Sequence, residues 1–144
     1  IKIGRLHYAN GNILDFGCGE KQLQNVLQRK IINYDINPKY SEINDYKKLN
    51  YEVIVINQVF MYMTKKEIFN FLNSQKKLNK DVKIVVVISK HNYFGKILRK
   101  IFNKKKITDI KSTINEQINV INKETIIKEQ KNLFFNIQVF LLSF

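Results

Sequence analysis

Four residues define the chemistry open to this chain: Asp15, Gly17, Gly19 and Asp35. The first three lie in ILDFGCGE at 13–20, and the fourth closes IINYD at 31–35. Glycines at 17 and 19 permit backbone angles and a close approach that a Cβ would forbid. The helix expected after them offers unpaired N–H groups at its start. A carboxylate at the tip of the neighbouring strand can accept two hydrogen bonds from a ribose diol. Asp35 lies close to the offset at which dinucleotide-binding folds carry such an acid. These residue types at this spacing point to an adenosine-containing ligand held at one end of an open α/β sheet.

The elements that position them follow from the flanking pattern. Ile13-Leu14 reads as a buried strand entering a sharp turn, and Glu20 to Lys30 places Leu23, Val26 and Leu27 at helical spacing. Residues 31–34 form a second short strand with Asp35 at its carboxyl end. A nicotinamide or flavin site calls for a third glycine, where this chain has Gln22, and Glu20 is a poor neighbour for a pyrophosphate. S-adenosylmethionine carries no phosphate. Its cationic sulfonium and ammonium suit acids at Asp15 and Glu20.

With these residues in view, Leu14-Asp15-Phe16-Gly17-Cys18-Gly19 resembles the first motif of the class I S-adenosylmethionine-dependent methyltransferases, LDxGCGxG. The chain departs from it at Lys21, where the family often has a further glycine. The resemblance covers residues 10–90 and continues beyond them only as an order of elements. It implies a Rossmann-like α/β fold: a mostly parallel twisted sheet, helices on both faces and a C-terminal antiparallel hairpin. It also implies S-adenosylmethionine as cofactor. Asp35 matches the ribose-binding acid, with Ile36 against the adenine. Asn44-Asp45-Tyr46 matches the turn that reads the adenine amino group. Residues 51–59 match the family's fourth strand, with Asn57 and Gln58 ending it beside the cofactor cleft. Tyr62 falls near the methyl group and His91 among substrate-facing positions, which makes them the two weak catalytic candidates.

Each of these has a plainer reading. Asp35 precedes Asn37-Pro38 and would also cap a turn, as would Asp45. Tyr62 would pack, His91 would sit on a surface loop, and His7 has no motif around it. Cys18 reads as a small residue fitted into the loop rather than a nucleophile. No metal-binding set is proposed. Neither a Pro-Cys pair nor an Asn-Pro-Pro-Tyr run is present to mark a cytosine-C5 or adenine-N6 enzyme.

The 144 residues are expected to form one methyltransferase domain, 1–144, with 44% apolar residues for a core. Its single cysteine cannot form an internal disulfide, which with no visible signal peptide points to a cytoplasmic protein. No apolar run approaches the ~20 residues of a membrane span. The net charge of +13 comes almost entirely from lysines spread along the chain. It supports solubility and loose attraction to anions. Residues 92–107 concentrate it, with Phe94, Ile97, Leu98, Ile101 and Phe102 on one helical face and lysines and Arg99 on the other. This basic helix either packs on the sheet or meets an anionic lipid surface, a phosphorylated substrate or RNA.

Elsewhere Thr64-Lys-Lys-Glu67 and Thr113-Ile-Asn-Glu116 are capping boxes, the first with Met63 and Ile68 as a hydrophobic staple. The first opens a helix to about Leu78 with Ile68, Phe69, Phe71 and Leu72 facing the core. The second opens one carrying Ile114, Ile118 and Ile121. Residues 82–89 (VKIVVVIS) suit a central strand buried on both sides. Segments 125–130 and 136–144 suit the closing hairpin. Only a dozen residues separate Pro38 from Tyr51, so the family's third strand is expected to shrink to a turn or a stub. The N-terminal lead is brief for the lid helices, which are expected to be trimmed or to leave the substrate side open.

The expected function is methyl transfer from S-adenosylmethionine to a small-molecule, lipid or sugar-type acceptor. Two alternatives stay open: an RNA methyltransferase using helix 92–107, and a non-catalytic methyltransferase-like partner subunit.

Overall fold

The structure is a computed structural model that describes residues 11–89, 109–133 and 137–144. Six strands form one sheet: β1 (Ile13–Phe16), β2 (Ile32–Tyr34), β3 (Val53–Asn57), β4 (Lys83–Ser89), β5 (Ile126–Leu133) and β6 (Ile137–Ser143). Their order is β2-β1-β3-β4-β6-β5. The first four run parallel, and β6 and β5 close the sheet antiparallel. A bulge at Lys128 kinks the edge strand, where Ile127 pairs Leu142 and Glu129 pairs Leu141.

β4 shows why these residues make strands. Its run Ile84 to Ile88 is buried throughout, so both faces of the strand are covered. Alternate residues then divide the core. Leu14, Ile54, Ile56, Ile84, Val86, Phe140 and Leu142 face one side, beneath α2 (Lys65–Leu78) and α3 (Ile114–Glu124). Ile13, Val53, Val55 and Val85 face the other, where Leu23 and Leu27 of α1 (Gln22–Leu27) pack. Helices therefore cover both faces, in the Rossmann-like arrangement the sequence implied. Each fully buried aliphatic side chain contributes about 1.5–3 kcal/mol.

Both capping boxes form. Thr64 and Thr113 accept the N–H groups of Glu67 and Glu116, whose carboxylates accept the cap N–H groups in return. Met63 packs on the cluster containing Ile68, as the staple requires. The periodicity erred at single positions. Phe69 is 43% exposed, and Gln75 takes the fourth buried place on α2, receiving the Tyr51 hydroxyl at 2.7 Å. On α3 the buried residues are Gln117, Val120 and Ile121, while Ile114 and Ile118 pack at the margin. Val26 on α1 is exposed.

No strand intervenes between β2 and β3; a 3-10 turn at Tyr46–Lys48 stands there instead. The strand matched to the family's fourth is thus β3 here. Residues 1–10 and the basic helix expected at 92–107, with His7 and His91, lie outside the described residues.

Candidate functional site

The parallel register brings the motif residues to one level. Phe16 pairs with Tyr34 on one side and Ile56 on the other, so Gly17, Asp35 and Asn57 follow at the carboxyl ends of three adjacent strands. The chain leaves β1 toward β2 on one side and later places β3 on the other. The crevice above β1 is therefore the switch point of the sheet, where open α/β folds bind ligands.

A cavity of about 800 Å³ occupies this place. Gly17, Asp35, Ile36, Asn57, Gln58 and Tyr62 line it, among the residues expected from the sequence. Phe16, Tyr34, Val59 and Met63 add apolar wall, and Glu67, Asp109 and Lys111 stand at its rim. Three acids and one base line a cavity in a chain of net charge +13, an inversion that favours a cationic ligand.

The glycine loop is tied to β2. Gly17 and Cys18 donate their N–H groups to Tyr34 O at 2.8 and 3.1 Å, and Gly19 donates to Asp35 Oδ2 at 3.0 Å. Asn37 donates to Asp35 Oδ1 at 2.8 Å, so the turn-capping and loop-binding roles of Asp35 coexist. Gly17 has φ +79°, and a Cβ there would collide with Val59 Cγ2. Gly19 has φ +49° and faces open space. Lys21, at the start of α1, adopts the same left-handed conformation with φ 57°. Its ammonium pairs with Glu42 at 2.7 Å, and Glu42 in turn accepts the buried Asn33 amide at 3.0 Å. The lysine therefore occupies a glycine conformation while bracing the loop against β2. Gln58, with φ 59°, is a further strained residue at the cavity, held by its N–H to Val87 O at 3.0 Å.

Asp15 lies at the carboxyl end of β1, 3% exposed. Burial, and then the charge of Asp35, push its pKa up to about 6. Cys18 is buried and points its thiol toward Tyr40 O at 3.5 Å. Burial first, then Asp15 and Asp35, raise that thiol to about 11, so it stays protonated and is no nucleophile.

Asp15, Cys18 and Gly19 thus shape the cavity from behind without lining it. Asp45 and Tyr46 do not reach it. Asp45 caps the 3-10 turn by accepting Lys47 N–H at 3.0 Å. Tyr46 stacks into a cluster with Phe16 (5.1 Å, edge-on), Tyr34 (4.7 Å) and Phe71 (6.3 Å), and burial raises its hydroxyl to about 12. The physical reason is the missing third strand: the turn folds back over β1 and β2 and is absorbed into the core.

Sequence reasoning missed the rim. Residues 109–111 are far from the glycine loop in sequence. They arrive because Lys111 donates its N–H to Met61 O at 2.8 Å and Ser112 its hydroxyl to Phe60 O at 2.8 Å. No local pattern announces such long-range docking. Phe16 and Tyr34 were within reach, since each ends a strand beside a motif residue.

No family model and no curated protein matches the sequence. Solved structures match the fold. A small RNA methyltransferase superposes with a TM-score of 0.71 at 14% identity, over 98% of this chain and 24% of that one. A protein from Pyrococcus horikoshii OT3 gives 0.68 at 10% identity, over 96% and 84% of the two chains. The magnesium protoporphyrin IX methyltransferase of Synechocystis PCC 6803, solved with bound S-adenosylhomocysteine, gives 0.56 at 13% identity, over 92% and 74%. This chain has the Rossmann-like fold of the class I S-adenosylmethionine-dependent methyltransferases.

Proposed function

We propose that this chain is a methyltransferase that binds S-adenosylmethionine in the cavity above β1. The observation that carries the reading is the convergence of Gly17, Asp35 and Asn57 from three adjacent strand ends on one acid-lined cavity. The residues present suit the cofactor. The glycine loop makes a cradle that a Cβ at position 17 would fill, and Asp35 presents a carboxylate to the cavity. Asp35 would hold the ribose diol, Ile36 and Tyr34 would flank the adenine, and Asn57 or Gln58 would take the amino-acid end. When bound, the cofactor supplies an electrophilic methyl group on a sulfonium.

The chain's own work is then placement and exclusion of water. Phe16, Tyr62 and Met63 offer an apolar wall for an acceptor group of modest size, supplied either as a metabolite, lipid or sugar or carried on a larger molecule. No histidine or unpaired carboxylate among the described cavity residues is assigned as a base. An acceptor whose nucleophile is already unprotonated needs none.

Calorimetric titration with S-adenosylmethionine and S-adenosylhomocysteine tests this. Micromolar binding is expected for the native chain and not for folded Asp35→Ala. A folded native chain that binds neither would overturn the reading.

A further inference from the structure

A second concavity lies on the far side of α2's first turn. Between α2 and α3 runs an open groove of about 730 Å³, bordered by Lys65, Lys66, Phe69, Asn119, Asn122, Lys123 and one acid, Glu124. Three lysines surround a phenylalanine that is 43% exposed, although its helix neighbours Ile68, Phe71 and Leu72 are buried. None of the three lysines pairs with a carboxylate within 4 Å among the described residues. The lysines outnumber the groove's acid three to one, and the carboxylates at and near it accept neutral donors. Glu116, which feels Lys65, is taken by the Thr113 cap, and Glu124 accepts the Asn73 amide at 3.2 Å. The groove is left cationic, with an aromatic face and two amide side chains exposed along it.

We propose that the α2–α3 groove binds single-stranded RNA. Its composition matches what an unpaired strand offers. The lysines meet phosphates, Phe69 stacks under one base, and Asn119 and Asn122 reach base or sugar edges. A lipid surface fits less well, because the apolar element is one ring in a concavity rather than a protruding patch. An acidic peptide would use the lysines but has no planar group for Phe69. The groove also adjoins the cavity described above: Lys65 and Lys66 border one and Glu67, the next residue, stands at the rim of the other. Both sites share the first turn of α2, and a strand that continued from the groove around that turn would bring RNA to the cavity as the carrier of the acceptor group. That last step rests on the methyltransferase reading; binding in the groove does not.

The test is fluorescence anisotropy with a labelled ten-nucleotide oligouridine at 50 and 200 mM salt. The variants are Lys65→Glu/Lys66→Glu/Lys123→Glu, Phe69→Ala, and a matched charge-reversal control, Lys76→Glu/Lys77→Glu/Lys80→Glu. The native chain and the control are expected to bind with similar affinity. The groove triple variant should weaken binding more than tenfold and lower the salt slope by about 2, as loss of three single-strand phosphate contacts requires. Phe69→Ala should weaken it about tenfold with the slope unchanged. S-adenosylhomocysteine affinity should be the same in all four proteins, which separates failure of the groove from failure of the cofactor site. No RNA binding at 50 mM salt overturns the proposal. Equal losses in the groove and control triples overturn it too, as does polyglutamate binding as tight as RNA.

Discussion

The backbone N–H of Gly19 donates to Asp35 Oδ2 at 3.0 Å, so the acid that closes β2 also fastens the loop that follows β1. Asn37 N–H holds the other oxygen at 2.8 Å. The carboxylate is thereby aimed before any ligand arrives, with lone pairs still free toward the cavity. Asp35→Ala should lower cofactor affinity at least about a hundredfold, the loss of two charge-assisted hydrogen bonds. Chemical denaturation should show a stability loss of about 1–2 kcal/mol, because Gly19 and Asn37 lose their acceptor. Unchanged affinity in a folded Asp35→Ala protein would remove this residue from the site.

Asp15 gives a pH signature of definite sign. Its folded pKa, raised to about 6 by burial and then by Asp35, exceeds the unfolded value of 3.8. The folded state therefore holds the proton more tightly. The stability this contributes is present below pH 4 and is lost as pH rises through 6. At pH 7–8 the buried charge should cost about 2–3 kcal/mol, so Asp15→Asn should be more stable than the native chain by that order. The advantage should shrink toward pH 4. Paired urea melts at pH 4, 6 and 8 measure it; a pH-independent difference would show that Asp15 does not titrate as its environment dictates.

The two glycines of the loop should respond differently to alanine. At Gly17 the new methyl would strike Val59 Cγ2, and the +79° φ adds strain, so a loss of about 3 kcal/mol is expected. Gly19 has no atom within 4 Å of the added Cβ and should lose only about 1 kcal/mol through its φ. Thermal unfolding ranks the pair. If Gly19→Ala also abolishes cofactor binding while staying folded, the open space beside it belongs to the ligand.

How much of this was legible in the sequence depends on how local each cause is. The glycine turn, the Asp35–Asn37 turn and both capping boxes are short-range devices, complete within a few residues, and all form as the residue types required. Strand β4 was legible because continuous burial on two faces leaves a continuous apolar run. Phe69 was misread because helical spacing gives the centre of an apolar face but not its width. The cavity rim at Asp109 and Lys111 was invisible because it depends on a backbone bond fifty residues away, from Lys111 N–H to Met61 O. Tyr46 was assigned to the ligand by family likeness, and the shortened connection after β2 gave it to the aromatic core instead.

Lys21 is the one departure from the glycine-loop pattern, and its two roles can be separated. Its left-handed backbone costs a lysine about 1 kcal/mol relative to glycine. Its ion pair with Glu42 returns only about 0–1 kcal/mol, since both side chains are more than a third exposed. Glu42 also keeps the Asn33 amide as a second partner when the ammonium is removed. Lys21→Gly should therefore be neutral or slightly stabilising in denaturant melts and should retain cofactor binding. Lys21→Ala, which keeps the strain and loses the pair, should fall about 1 kcal/mol below Lys21→Gly. The Glu42 carboxyl, held below its ordinary range first by Lys21 and then by Asn33, should titrate higher in both variants. A Lys21→Gly protein less stable than Lys21→Ala would show that the left-handed backbone at this position carries no strain for a residue with a Cβ.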